Sequence, residues 1–235
     1  MKKIKILSLL FCVVMLVAAC HDDEEGPIIP QPREQVGRTV LVYIVGDNGV
    51  NELSDLFKTN FEDMKEGMKE VDYSKCNLVV YSEMVNDVPR LVSLKKQNGK
   101  VVADTLFTYS EQNPLAKEVM SSVISQTVSY FPADSYGFVF LSHSSSWVPA
   151  TNDANSRSIG YYRRTQMNIP DFHDVLLSSF PRPLKFILFD SCSMQAVEVA
   201  YELRDCAEYF IGSPTEIPGP GAPYSCLLYT SPSPR

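Results

Sequence analysis

The sequence predicts an α/β sandwich with a mostly parallel central sheet. Three observations support this. Apolar, β-branched segments of strand length recur along the chain, segments with helical spacing separate several of them, and reactive side chains follow two of the strands. Strands that alternate with helices favour parallel pairing, because a crossover helix returns the chain to the same edge of the sheet. In such sheets the working groups sit at the carboxyl ends of strands.

Each predicted strand is a short apolar run followed by a turn signal. Arg38–Val45 is β-branched and nearly all apolar, which is typical of a strand buried on both faces, and Gly46-Asp47-Asn48-Gly49 ends it. Asn98-Gly99 is a strong hairpin signal. We predict strands over Arg38–Val45, Asn77–Met84, Val88–Leu94, Val101–Tyr109, Tyr136–Leu141, Leu184–Phe189 and Ala207–Ile211.

The helices are predicted from apolar residues at helical spacing and from capping residues. The first carries Leu53, Leu56, Phe57, Phe61, Met64 and Met68. Asn51 or Ser54 is a suitable cap for it, and Pro114 suits the first turn of the second helix. Two more helices are predicted over about 170–179 and 194–204.

Composition excludes several classes of protein. The 235 residues are 45% hydrophobic with a mean hydropathy of -0.07, which excludes fibrous, collagen-like and wholly disordered chains. Lys and Arg number 21 against 28 Asp and Glu, a net charge of -7, and no basic run occurs. We therefore predict no nucleic-acid partner. The sequence also lacks GxGxxG, phosphate-loop, HExxH and paired-cysteine zinc patterns.

The amino-terminal segment is typical of an exported lipoprotein. Met1–Ala19 has a basic start and an apolar stretch too short to span a bilayer comfortably, and it closes before Cys20 as a lipobox does. We predict lipidation of Cys20 and a position at the outer membrane or cell surface of a Gram-negative cell. Cleavage after Ala19 without a lipid is the alternative. Residues 20–37 form an acidic and Pro-rich linker.

The other end of the chain does not suit the predicted domain. Cys226–Arg235 resembles the translation of a sequencing-library adapter, although a genuine Pro/Ser-rich tail remains an alternative. We therefore expect a domain over 38–225 whose carboxyl-terminal part is missing. Without the two ends, Cys76, Cys192 and Cys206 remain, which is no disulfide framework and leaves room for a working thiol.

Two predicted strands end in reactive side chains. His143 follows the strand that ends at Leu141, and Cys192 follows the strand that ends at Phe189, just before a predicted helix. The positive end of that helix is expected to favour a thiolate. A thiol beside an imidazole is the minimum for nucleophilic attack on a peptide carbonyl. Backbone N–H groups after the strands could hold the oxyanion.

The residues around this pair resemble the clostripain family of cysteine peptidases, which has a caspase-like fold. The 49 residues between His143 and Cys192 are also similar to the caspase-like spacing. Five matching segments occur in the family's order and span the whole predicted domain. They are Thr39–Asn48, Leu141–Trp147, Phe189–Met194, Val197–Leu203 and Glu216–Tyr224.

The resemblance implies a fold, an activity and roles for single residues. The fold is a caspase-like α/β/α sandwich, and the activity is hydrolysis of peptides or proteins after Arg or Lys. His143 would be the general base, Cys192 the nucleophile and Asp190 the residue of the S1 pocket. Some members depend on calcium, but no calcium-loop spacing occurs here, so we predict no cofactor and leave metal open. Self-cleavage is expected at Arg163 or Arg164, for which a solvated basic loop is the alternative.

One residue departs from the family pattern. The family has Gly directly after the histidine, where its N–H helps to build the oxyanion hole together with that of the nucleophile, here Cys192. This chain has Ser144, which tolerates fewer backbone angles. A catalytically inactive relative that acts as a surface binding module is therefore the alternative function. An unrelated α/β binding protein without a His–Cys pair is a third.

Overall fold

The computed structural model describes residues 30–48, 51–147 and 158–227. The chain divides into Met1–Gln31, of which only the last two residues are described, and a compact unit over Pro32–Arg235. The signal segment, Cys20 and residues 228–235 lie outside the described residues, so the predictions made for them stay predictions. Within the described part, no helix is long and apolar enough to cross a membrane.

A seven-stranded sheet forms the centre of the compact unit, in the order β4-β3-β2-β1-β5-β8-β9. The pairs β2–β1, β1–β5, β5–β8 and β8–β9 are parallel, whereas β3 and β4 form an antiparallel hairpin at one edge. The strands are β1 (Val36–Val45), β2 (Cys76–Glu83), β3 (Arg90–Gln97), β4 (Lys100–Thr108), β5 (Ala133–Leu141), β8 (Leu184–Asp190) and β9 (Ala207–Ile211). The prediction of a mostly parallel sheet is confirmed.

A smaller hairpin and five helices complete the described structure. The hairpin consists of β6 (Ser158–Tyr162) and β7 (Thr165–Asn168). A 3-10 turn, Met68–Glu70, follows the first helix directly. The helices are α1 (Asn51–Gly67), α2 (Lys117–Tyr130), α3 (Ile169–Ser179), α4 (Val197–Glu202) and α5 (Tyr224–Leu227).

Alternating side chains of β1 enter two different hydrophobic cores, one on each face of the sheet. Leu41, Tyr43 and Val45 pack into the core that contains the buried residues of α2 and α3. Val40, Val42 and Ile44 pack into the core that contains Phe57 and Met64 of α1. The nearly continuous apolar run of β1 is therefore a consequence of burial on both faces. Helices on both faces make an α/β/α sandwich, as predicted.

Three details of the helices differ from the prediction. Pro114 precedes α2, which begins at Lys117, and so does not lie in its first turn. Ser54 is not a cap but lies inside α1, where its hydroxyl donates to the Gly46 carbonyl and accepts from the Val85 N–H. Helix α4 begins at Val197 rather than near 194. The reason is that the N–H groups of Ser193 and Gln195 donate to the carbonyls of Thr215 and Ser213 in a neighbouring loop.

Candidate active site

Adjacent parallel strands bring the predicted base and nucleophile to one end of the sheet. Strand β5 pairs with β8 in a register that sets Leu141 opposite Asp190, so His143 and Cys192 each follow two residues later. Both residues line the same cleft, which has a volume of about 470 Å³. The rest of its wall consists of Ser144, Ser145, Ser146, Trp147, Ser193, Ala196, Pro214 and Glu216.

The end of β1 supplies a residue that the sequence analysis did not single out. The side-chain amide of Asn48 lies 3.1 Å from Nε2 of His143. Strand β1 is the other neighbour of β5, with Ile44 opposite Leu141, so the segment after β1 reaches the imidazole. The sequence did contain a signal for Asn48, which is a polar residue directly after a predicted parallel strand. The carboxyl ends of adjacent parallel strands lie at the same end of the sheet, so such a residue can reach the site.

The surroundings of Cys192 differ from the predicted helix terminus. Helix α4 starts five residues after Cys192, so the thiol does not lie in its first turn. Instead the chain after Cys192 takes a tight turn, with Ser193 at a φ of 58°. The N–H of Ser193 donates to the Thr215 carbonyl over 2.9 Å, which ties this turn to the loop that carries Pro214 and Glu216. The prediction of a helix end at the thiol is therefore wrong.

Ser144 connects the two strand ends directly. Its hydroxyl donates a hydrogen bond to the backbone carbonyl of Cys192. Its backbone also forms an isolated antiparallel bridge with Ile159 of β6. A glycine at this position could not make the hydroxyl contact, so the departure from the family pattern adds a link between the residues predicted to supply the oxyanion donors. That predicted role of the two N–H groups stays a prediction.

Asp190 ends strand β8 two residues before Cys192 and is buried, with 6% of its surface exposed. One carboxylate oxygen, Oδ2, accepts hydrogen bonds from the Ala222 N–H at 3.0 Å and from the Tyr224 hydroxyl at 2.9 Å. Gly221 packs so closely that an added Cβ would lie 2.4 Å from Oδ2, and its φ is +67°. Burial raises the pKa of Asp190, and these hydrogen bonds oppose that shift. Among the described residues, Oδ1 accepts no hydrogen bond.

Arg163 and Arg164 lie at the turn of the β6–β7 hairpin, which the sequence analysis did not predict as strands. The Arg163 guanidinium contacts Asp47 at 2.9 Å and also pairs with Glu111. The Arg163 N–H donates to the Asp47 carbonyl, and its φ is 53°. Arg164 is exposed and forms no ion pair among the described residues. These contacts join the hairpin to the segment that carries Asn48.

Glu83 lies in the same region and is 2% exposed. Its Oε2 has no hydrogen-bond partner among the described residues. Burial raises the pKa of Glu83 to about 8, the charge of Asp47 adds to this shift, and that of Arg163 opposes it. We therefore expect the folded protein to hold a proton on Glu83 at neutral pH that the unfolded chain has released.

This proton predicts a loss of stability with rising pH. Because the folded pKa is raised from 4.5 to about 8, the free energy of unfolding should fall as pH rises through that window. The slope is on the order of 1.4 kcal/mol per pH unit. In Glu83→Gln we expect that part of the slope to vanish, as measured by urea unfolding at several pH values from 5 to 8. Equal slopes in Glu83→Gln and in the exposed control Glu118→Gln would contradict it.

The calcium dependence that the resemblance allows stays a prediction. Calcium takes six to eight oxygen ligands. Three carboxylates, those of Asp47, Glu83 and Glu111, lie near the carboxyl ends of β1 and β2. Those of Asp47 and Glu111 already pair with Arg163. The one cluster in the described part that could hold a metal ion contains a histidine and a cysteine. No step of the reaction is therefore assigned to calcium.

The site residues predicted from the sequence fall into three places. His143, Ser144 and Cys192 line one cleft, with Asp190 buried two residues before Cys192. Arg163 and Arg164 form a hairpin turn next to the Asn48 segment. Cys20 lies outside the described residues.

Comparison with solved structures gives the same fold. A secreted C11 cysteine protease from Bacteroides thetaiotaomicron, in complex with an irreversible peptide inhibitor, is 46% identical with a TM-score of 0.73, over 82% of this chain and 52% of that chain. An inactive zymogen C11 protease from Parabacteroides distasonis is 35% identical with a TM-score of 0.71, over 83% of this chain and 54% of that chain. The chain thus spans about half the length of these proteins.

The sequence also places the chain in a known family. No curated protein is similar enough to count as a match. The model of the clostripain family, Peptidase_C11, matches residues 42–235, which is most of the chain. The chain belongs to the clostripain family of C11 cysteine peptidases.

Proposed function

We propose that this protein is a cysteine endopeptidase that hydrolyses peptide bonds after Arg or Lys. One observation carries the proposal. An imidazole and a thiol follow adjacent parallel strands and open into the same cleft, with a carboxylate two residues before the thiol. The relative bound to an irreversible peptide inhibitor supports a peptide as substrate. Arg or Lys at P1 and the His–Cys dyad are our inferences.

The proposed reaction needs only groups from the cleft. His143 takes the proton of the Cys192 thiol, and the thiolate attacks the carbonyl carbon of the scissile bond. The N–H groups of Ser144 and Cys192 would stabilise the oxyanion. As the peptide C–N bond breaks, the imidazolium gives its proton to the leaving amine and a thioester remains on Cys192. His143 then takes a proton from water, whose oxygen attacks the thioester carbonyl carbon. The C–S bond breaks, the new carboxylate leaves, and the imidazolium returns its proton to the Cys192 sulfur.

The proposed preference for a basic P1 residue depends on Asp190. Its Oδ2 is held by Ala222 and Tyr224, while Oδ1 accepts nothing among the described residues. A guanidinium or ammonium that reaches Oδ1 would form a charge-assisted hydrogen bond in a poorly solvated place. The positive charge would also lower the pKa of this carboxyl, which burial raises in the free protein.

Peptides that differ only at P1 test the proposal. We would measure cleavage of fluorogenic peptides with Arg, Lys, citrulline or norleucine at P1. The test uses the full 235-residue chain. We expect turnover of the Arg and Lys peptides and little of the neutral ones. A folded protein that cleaves none of them, in the presence of a reducing agent and with or without calcium, would contradict the proposal.

Asn48 is proposed as a positioning residue for His143. Its amide contacts Nε2 and fixes the plane of the ring, so Asn48→Ala should lower kcat by about 10²-fold, because an ångström of misplacement costs that much. KM should change little. In Asn48→Asp, the new charge should raise the pKa of His143 and shift the acidic limb of the kcat–pH profile upward. The exposed control Asn168→Ala should leave both unchanged, and an unaltered profile in Asn48→Asp would contradict the role.

Ser144 favours a second candidate function. The serine hydroxyl holds the Cys192 carbonyl, so the turn that should present the oxyanion donors is fixed differently from a glycine turn. If this turn does not admit a tetrahedral intermediate, the protein is a surface binding module with an inactive cleft. Restored cleavage in Ser144→Gly, with none in the wild type, would favour that function.

Self-cleavage near the β6–β7 turn is proposed as a maturation step. The Arg163 side chain would have to leave Asp47 and Glu111 to enter an S1 pocket, whereas Arg164 is exposed. We therefore favour the bond after Arg164. Intact mass and sequencing of the fragments after long incubation would locate the cut.

Export and anchoring extend the proposal to the cell. We propose that the protein is exported and held at the outer membrane or cell surface by a lipid on Cys20. The secreted relative from Bacteroides thetaiotaomicron supports export, and the lipid rests on the sequence before Cys20 alone. Metabolic labelling with a clickable fatty acid, compared with Cys20→Ser, would test the anchor.

A further inference from the structure

The structure contains a second group of chemically reactive side chains. They lie at the opposite end of the strands from the cleft. His173 lies in the middle of α3, and Asp205 and Cys206 lie in the turn directly before β9. The cleft is at the carboxyl ends of the strands, whereas this turn is at the amino end of β9. None of the three residues takes part in the proposed reaction. We propose that His173, Asp205 and Cys206 bind a divalent transition-metal ion, with zinc as the expected metal.

The geometry of the three donors suits a small tetrahedral ion. Their ligand atoms all lie within 4.8 Å of one another, and Nε2 of His173 lies 3.0 Å from Oδ1 of Asp205. Bonds of about 2.0–2.3 Å to zinc place the ligand atoms of a tetrahedral site roughly 3.3–3.8 Å apart. Closure therefore needs the ligand atoms to approach one another by about 1.0–1.5 Å at most, within the reach of small side-chain rotations. Three protein ligands leave the fourth position to water.

The neighbours of His173 repeat a feature of metal sites. The second ring nitrogen, Nδ1, lies 3.4 Å from a carboxylate oxygen of Asp174. A histidine that binds a metal through one nitrogen usually donates its other N–H to a carboxylate or carbonyl, which fixes the tautomer. Asp174 is itself held by Lys117 at 3.1 Å. His173 therefore already has the outer carboxylate that a zinc-bound imidazole needs.

Charge and ligand type indicate which ion the site would take. The Cys206 thiol is buried, and the negative charges of Asp205, Asp174 and Glu202 act on it electrostatically. The same negative charges attract a cation. Metal binding would replace the thiol proton, which passes to solvent, by a metal–sulfur bond. A thiolate sulfur, an imidazole nitrogen and a carboxylate oxygen together suit zinc and similar divalent transition-metal ions such as cobalt. Calcium and magnesium prefer oxygen ligands alone.

Cobalt titration tests this site without using peptidase activity. The parent protein is the full chain with Cys192→Ala, which removes the cleft thiol. We expect one equivalent of Co²⁺ to produce a thiolate-to-cobalt charge-transfer band and the visible bands of a tetrahedral complex, and Zn²⁺ to abolish both. The bands should disappear in Cys206→Ser. His173→Gln and Asp205→Asn should weaken the affinity by at least about tenfold, the lower limit for loss of an outer partner.

Matched variants separate this site from other thiols. Cys76→Ser removes a half-buried thiol on β2 and should leave the titration unchanged, and the remaining cysteines are the same in every variant. His173→Gln and Asp205→Asn keep all thiols and change side chains that reach the surface, so circular dichroism should show an intact fold. Absence of the charge-transfer band in the parent would overturn the proposal. So would a band of equal strength and affinity in Cys206→Ser or His173→Gln.

Discussion

Replacement of Cys192 by alanine is expected to lower kcat/KM for a P1-Arg peptide by at least about 10⁴-fold, because loss of a nucleophile leaves only binding and oxyanion stabilisation. Helix α4 begins at Val197, so in the proposed reaction His143, and not a helix end, would deprotonate the thiol. The same variant should no longer be alkylated by a peptide electrophile with Arg at P1. Intact mass measures that modification independently of turnover.

The matched control for this experiment is Cys76→Ala. Cys76 is also a half-buried free thiol of the described domain, but it lies at the start of β2, away from the residues that line the cleft. We expect Cys76→Ala to retain the parent rate and the parent labelling by one equivalent. If Cys192→Ala kept cleavage within about tenfold of the parent, or Cys76→Ala lost it with the fold intact, Cys192 would not be the nucleophile.

Replacement of Asp190 by asparagine is expected to remove most of the preference for Arg and Lys. Truncating a buried, hydrogen-bonded charge pair costs about 2–5 kcal/mol, which corresponds to at least about 30-fold in kcat/KM for the basic peptides. Asparagine has the same shape and keeps an oxygen for the Ala222 N–H and the Tyr224 hydroxyl. Peptides with citrulline or norleucine at P1 should be cleaved at the parent rate or faster.

Tyr224→Phe separates the charge of Asp190 from its structural contacts. This variant removes one hydrogen bond to Oδ2 and leaves the carboxylate in place. We expect a loss of about 1.5–3 kcal/mol in the free energy of unfolding, typical of hydrogen bonds to charged groups, with the P1 preference kept. If Asp190→Asn lowered the rates for basic and neutral peptides equally, Asp190 would be a structural residue and not the P1 partner.

The sheet could be predicted from the sequence because its local and tertiary signals agree. Strand β1 is apolar on both faces and is buried on both, and Asn98-Gly99 forms the turn that its residues favour, with both at positive φ. The sequence predicted that His143 and Cys192 lie at the same end of the sheet, because each follows the carboxyl end of a predicted parallel strand. Strand ends shifted by up to three residues, which is expected because pairing continues as long as a neighbour offers partners.

The parts that could not be predicted depend on contacts between distant segments. Helix α4 starts late because the loop at 213–215 takes the N–H groups of Ser193 and Gln195. The β6–β7 hairpin lies in a polar sequence, and Asp47 and Glu111 hold Arg163 at its turn. Asn48 and the group around Cys206 carry no motif, so only the folded arrangement identifies them. No periodic pattern in the sequence encodes such contacts.

The proposed catalytic pair can form only after β5 and β8 have paired during folding. The proposed base, His143, and the proposed nucleophile, Cys192, are 49 positions apart in sequence and come together only when Leu141 stands opposite Asp190. Pairing over such a separation forms slowly, because loop closure must precede the contacts that reward it. A newly made or translocating chain would therefore carry an ordinary thiol and an ordinary imidazole. Folding itself would act as the first safeguard against premature proteolysis, before any processing of the polypeptide.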